Sequence, residues 1–113
     1  MDSKVSIMQS VKLMVLYPQP KDKETFERDY VSHLALFHQK LGISQTGELP
    51  YTVTKFCAVG DEITKFYQLF TMVFSSIEEL QHTLASEEMQ IVASDAVRIS
   101  TGGAPSILIG KEN

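Results

Sequence analysis

The stretch Phe66-Tyr67-Gln68-Leu69-Phe70-Thr71-Met72-Val73-Phe74 reads as a β-strand, because aromatic and β-branched residues dominate it. Side chains alternate across a strand, so Phe66, Phe70, Met72 and Phe74 point to one side while Tyr67, Leu69, Thr71 and Val73 point to the other. Both sides are largely apolar, whereas an antiparallel sheet with one wet face alternates apolar with polar residues. Val11 to Tyr17 repeats the pattern, with Leu13, Val15 and Tyr17 opposing Met14 and Leu16, and Pro18-Gln19-Pro20 ends that strand. Helices can cover one face of such a sheet. The other is expected to meet a second copy across a two-fold axis, with Leu69 or Phe70 in the contact.

Working outward, Phe26, Tyr30, Leu34, Phe37 and Leu41 recur at helical spacing and predict a helix over Lys23 to Leu41, stopped by Gly42. Tyr51 to Val59 predicts a second strand, joined to the 66–74 strand as an antiparallel hairpin through Gly60-Asp61-Glu62. Ser76-Ile77-Glu78-Glu79 is a capping box, and Ile77, Leu80 and Leu84 give the apolar face of the helix it starts. Ser86 recaps a further short helix carrying Met89, Val92, Ala93 and Ala96, which Ser100 to Pro105 breaks before a last strand over Ser106 to Gly110. The order strand, helix, strand, strand, helix, strand predicts an α+β, ferredoxin-like βαββαβ fold with an antiparallel four-stranded sheet. Residues 1–10 have no clear period and are expected to form a flexible arm, and residues 11–113 a single domain.

Composition narrows the function classes. Ten basic residues against fourteen acidic ones give a net charge of −4, and the basic residues are scattered along the chain. Nucleic acid and anionic membrane surfaces both require clustered lysine and arginine, so neither is an expected partner. The opening residues lack the apolar core of a signal peptide and no stretch reaches the roughly 20 apolar residues of a membrane span, so a cytoplasmic location is expected. Cys57 is the single cysteine, which excludes an internal disulfide; within a strand-like run it is expected to be a small buried hydrophobe.

His33 lies seven residues after Phe26 and three after Tyr30, on the apolar stripe of the first helix and facing the sheet. It is a candidate pocket histidine able to move a proton to or from a bound organic acid or enol; the structural alternative is a core histidine tied to a backbone carbonyl. Phe37, on the same stripe, is a candidate ligand-lining residue. Tyr17 and Tyr67, and less so Tyr51, offer an apolar ring with one polar handle, as pockets require. His38 on the helix flank and His82 opposite its helix's apolar face are expected to be solvated. The three histidines lack metal-ligand spacing and Cys57 has no paired ligand, so no metal is expected. No glycine-rich loop opens a helix after a strand, so no nucleotide cofactor is expected either.

Several local motifs then fit one family. Val11 to Pro18 with Pro20, Phe26-Glu27-Arg28-Asp29-Tyr30, His33-Leu34-Ala35-Leu36, Phe66-Tyr67, Phe74 to Leu80, Leu84 to Glu88, Ala93-Ser94-Asp95 and Thr101-Gly102-Gly103 resemble the ethyl tert-butyl ether degradation (EthD-like) family of the dimeric α+β barrel superfamily. The family has a histidine, then a small residue or proline, then leucine in its first helix; here Ala35 stands where proline is frequent. The resemblance implies a homodimer closing a β-barrel and strengthens the functional reading of His33. It also makes Asp95, beside the apolar face of the last helix, worth naming, although a helix-end or loop hydrogen bond is its simpler role.

Relatives in the superfamily include cofactor-free monooxygenases, lactone isomerases, polyketide cyclases and dehydratases, so the fold constrains function weakly. Three readings follow. One is a cofactor-independent enzyme with His33 as general base on an apolar or aromatic carbonyl compound. The second is a non-catalytic protein binding a small organic ligand in the same cavity, and the third a structural dimer with a filled core. A cavity beside His33 separates the first two from the third, and a second titratable or hydroxyl group within reach of His33 favours the first.

Overall fold

The computed structural model describes residues 10–111, so all but Ser10 of the arm expected over residues 1–10 lies outside the described residues. The elements run β1 (Val11–Pro18), α1 (Lys23–Leu41), β2 (Tyr51–Lys55), β3 (Phe66–Phe74), α2 (Ile77–Ala85), α3 (Glu87–Ile99) and β4 (Ser106–Lys111). The side chain of Asp22 caps α1 by accepting the Glu24 N–H, and Gly42, at φ 66°, closes it by donating its own N–H to the His38 carbonyl. Ser76 Oγ accepts the Glu79 N–H at 3.1 Å. Glu79 itself reaches one residue beyond the expected box, accepting the Ser75 N–H and hydroxyl at 3.1 and 2.9 Å. Ser86 caps α3 by accepting the Met89 N–H at 3.1 Å, which splits the second helical region in two.

The strands form one antiparallel sheet in the order β2-β3-β1-β4. The hairpin between β2 and β3 is present, but β2 ends at Lys55 and not at Val59. Phe56 still donates its N–H to the Tyr67 carbonyl, but residues 57–59 make no ladder pair with β3, which begins at Phe66. Cys57 therefore lies outside the strand and is exposed, contrary to the expected burial.

A second departure sits across the sheet from Pro18. Tyr17 pairs with Gln68 and Pro18 with Phe66, leaving Tyr67 as the extra residue of a bulge. Proline has no N–H for the ladder, and bulges accommodate that loss. The Tyr67 ring consequently meets Phe26 of α1 edge-on at 5.4 Å, instead of joining Leu69 and Val73 on the outward face.

All three helices lie on the sheet face that carries Leu13, Tyr17, Phe70, Met72 and Phe74, which are buried. The register places Met14, Leu16, Leu69, Val73 and Leu108 on the opposite face, where Val73 and Leu108 stay about half exposed. Residues 100–105 are tied to the β1–α1 turn: Lys21 N–H donates to Thr101 Oγ1 at 3.0 Å. A Cβ on Gly102 would stand 1.7 Å from the Gln19 carbonyl oxygen. Gly102→Ala is therefore expected to cost about 1–3 kcal/mol and to lower Tm by about 4 °C or more, because the atom it meets is backbone. An unchanged melting curve would contradict this packing.

Candidate functional site

Helical periodicity carries His33 to the buried side of α1, where it is 5% exposed. Its Nδ1–H donates to Asp95 Oδ2 at 2.9 Å, while Arg98 Nε–H, one turn further along α3, donates to Asp95 Oδ1 at 2.8 Å. Each carboxylate oxygen thus holds one donor, and the Asp95 bond fixes the imidazole with its proton on Nδ1. Nε2 then carries the lone pair, and it has no hydrogen-bond partner among the described residues.

Burial, the largest influence, pushes the His33 pKa below its ordinary 6.5 against the opposing pull of Asp95. For Asp95 burial acts upward, but the hydrogen bonds from Arg98 and His33 outweigh it and hold the carboxyl below its usual range. At neutral pH the pair is therefore a neutral imidazole against a carboxylate. A histidine kept neutral in the folded state binds its proton more readily when unfolded, so His33 should make stability fall as pH drops from about 6.5 toward its lower folded value. Urea midpoints compared with those of His33→Gln check this, since the variant is expected to lose stability less steeply between about pH 6.5 and 5.

His33 stands in the wall of a cavity of about 200 Å³. The sheet contributes Leu13, Val15, Tyr17, Phe70 and Ile107, α1 contributes His33 and Phe37, and α3 contributes residues from Met89 to Val97. Among the lining side chains only Tyr17 and His33 are polar. Tyr17 is held by edge-on contacts with Phe26 and Tyr30 at 5.4 and 5.8 Å, and Tyr30 lies 5.5 Å from the His33 ring. Burial, with the Asp95 charge, pushes the Tyr17 pKa well up, so its hydroxyl remains a donor. His33 and Tyr17 are thus the two lining residues able to hydrogen-bond through a side chain, one as an acceptor and one as a donor.

The remaining candidates divide. Phe37 lines the cavity and also meets Tyr51 and Phe70 edge-on at 5.4 and 5.5 Å. Asp95 stands behind His33. Tyr67 does not line the cavity: the bulge sends its hydroxyl to Glu27, and that hydrogen bond, with burial, pushes its pKa up to about 12. Lys55 Nζ joins the same cluster, 2.5 Å from Glu27 Oε2 and 2.6 Å from Gln68 Oε1.

His38, expected to be solvated, is 7% exposed. Its Nδ1–H donates to the Ile43 carbonyl at 3.0 Å and its Nε2 accepts the Tyr51 hydroxyl at 2.6 Å. The turn after Gly42 folds back over this flank, so His38, and not His33, is the core histidine tied to a backbone carbonyl. Sequence reasoning also passed over Gln68, which is 0% exposed on the helix-facing side. A glutamine at an apolar-face position of the strand was its one local signal. Among the described residues no group of three or more histidine, cysteine, aspartate or glutamate side chains is placed to hold a metal ion, and no helix is long and apolar enough to cross a membrane.

A four-stranded antiparallel sheet with its helices on one face defines a ferredoxin-like α+β protein. Solved structures agree. An EthD family protein from Bacillus halodurans C-125 is 28% identical, with a TM-score of 0.76 over 92% of this chain and 99% of that one. A hydroxynitrile lyase from Passiflora edulis is 12% identical, with a TM-score of 0.68 over 94% of this chain and 95% of that one. A dimeric ferredoxin-like protein of unknown function from Jannaschia sp. CCS1 is 9% identical, with a TM-score of 0.65 over 90% of this chain and 98% of that one. No family model and no curated protein matches the chain. The first of these structures carries the resemblance read from the local motifs: over most of its length the chain is similar to an EthD family protein.

Proposed function

We propose that this protein binds a small, apolar carbonyl compound in the cavity and moves a proton at it with His33, without a cofactor. The observation that carries the reading is the free Nε2 of an aspartate-oriented histidine in a wall that is otherwise apolar except for Tyr17. A cavity of about 150 Å³ is enough for benzene, so about 200 Å³ suits a substituted ring or a comparable aliphatic compound. In the proposed step a C–H bond beside the carbonyl breaks and its electron pair passes into an enolate. The proton goes to His33 Nε2, and the enolate oxygen accepts the Tyr17 O–H. Asp95 stabilises the imidazolium, which then returns the proton to carbon or oxygen.

Acetophenone tests the step, because its methyl protons exchange with deuterated solvent only through such an enolate. Exchange accelerated by the protein and lost in His33→Ala supports catalysis. Binding without accelerated exchange would assign the same cavity to a non-catalytic ligand carrier.

The second part of the proposal is a homodimer that buries the sheet face opposite the helices. Met14, Leu16, Leu69, Val73 and Leu108 give this face an apolar patch, beside Lys12, Thr52 and Thr71, and one of the fold neighbours is described as dimeric. Between them the two sheets would close a barrel.

A further inference from the structure

We propose that the cavity takes its ligand uncharged and discriminates against the carboxylate of the same shape, an inference that rests on the cavity being the ligand site. The lining contains no lysine, arginine, aspartate or glutamate side chain. The cation that acts on His33, Arg98, is bonded to Asp95 Oδ1 and is itself solvent-facing. An anion beside His33 would therefore find no free cation, because Arg98 is already paired with the Asp95 carboxylate that holds Nδ1. An anion would also lose its hydration on entry with no cation to replace it.

The way in is equally apolar. Val97, Ala104 and Ile107 line the cavity and are exposed, which places its mouth between α3 and β4 with no charged side chain in the lining there. Burial already opposes protonation of His33, so drawing a proton onto the ring to accommodate an anion works against the fold. A neutral carbonyl compound meets none of these penalties. Its oxygen can accept from Tyr17 while an adjacent acidic C–H or O–H meets Nε2.

Acetophenone and benzoate differ only in a methyl group against a charged oxygen and make the test pair. Each is titrated into the full chain at pH 7 and followed by NMR of the His33 and Tyr17 ring signals. The expected result is that acetophenone shifts both rings and that benzoate binds about tenfold more weakly or worse. Benzoate binding as tightly as acetophenone, with the same rings shifted, would overturn charge discrimination while leaving the cavity as the ligand site. If neither compound moves these signals at millimolar concentration, the cavity is not the ligand site and both readings fall.

Discussion

His33→Ala is expected to lower protein-catalysed hydrogen–deuterium exchange of acetophenone by about 10²–10⁴-fold, with the fold and the dimer intact. The substitution removes the proposed base, since Asp95 is engaged on Nδ1 and Tyr17 keeps its proton. It also orphans a carboxylate oxygen, but Asp95 is 17% exposed and keeps its second oxygen on Arg98, so the loss of stability should stay within about 1–3 kcal/mol. Asp95→Asn separates orientation from proton transfer, because it keeps the volume and weakens the hold on the Nδ1 proton. A smaller loss of exchange than in His33→Ala is expected for it. A destabilised His33→Ala protein that exchanges and binds unchanged would make His33 a core residue.

Leu69→Asp is expected to raise the dissociation constant of the proposed homodimer by about 10²-fold or more, because a charge buried without a partner costs several kcal/mol. The sequence left Leu69 and Phe70 as equal candidates for the contact. The structure separates them, since Phe70 stacks on Tyr51 at 5.2 Å beneath the helices while Leu69 lies on the uncovered face. Sedimentation of the wild type as a dimer at micromolar concentration and of Leu69→Asp as a folded monomer supports the sheet-to-sheet interface. A wild-type monomer, or a variant dimer of unchanged affinity, contradicts it.

What was legible in the sequence follows how local each signal is. The bounds of α1 and β3 were readable, because a 3.6-residue stripe and an unbroken apolar run are properties of consecutive residues. The end of β2 was not, since it depends on where the neighbouring strand begins to pair. Tyr67 went to the wrong face for a related reason: the bulge answers to Pro18 in another strand. His33 could be placed by its spacing from Phe26 and Tyr30, whereas its partner Asp95 lies 62 residues away and was reached only through family resemblance. His38 was misplaced because helical spacing alone cannot show that the turn after Gly42 and the hydroxyl of Tyr51 both close over it.

The proposed function requires a free His33 Nε2 at the cavity while Asp95 holds Nδ1–H. Nitrogen-15 NMR of the labelled imidazole reads both atoms separately as acetophenone is added. The expected result is a neutral ring protonated on Nδ1 at pH 7, with the Nε2 resonance moving on titration and the Nδ1 resonance nearly still. A ring protonated on Nε2, or an Nε2 signal that acetophenone leaves unchanged, would contradict it.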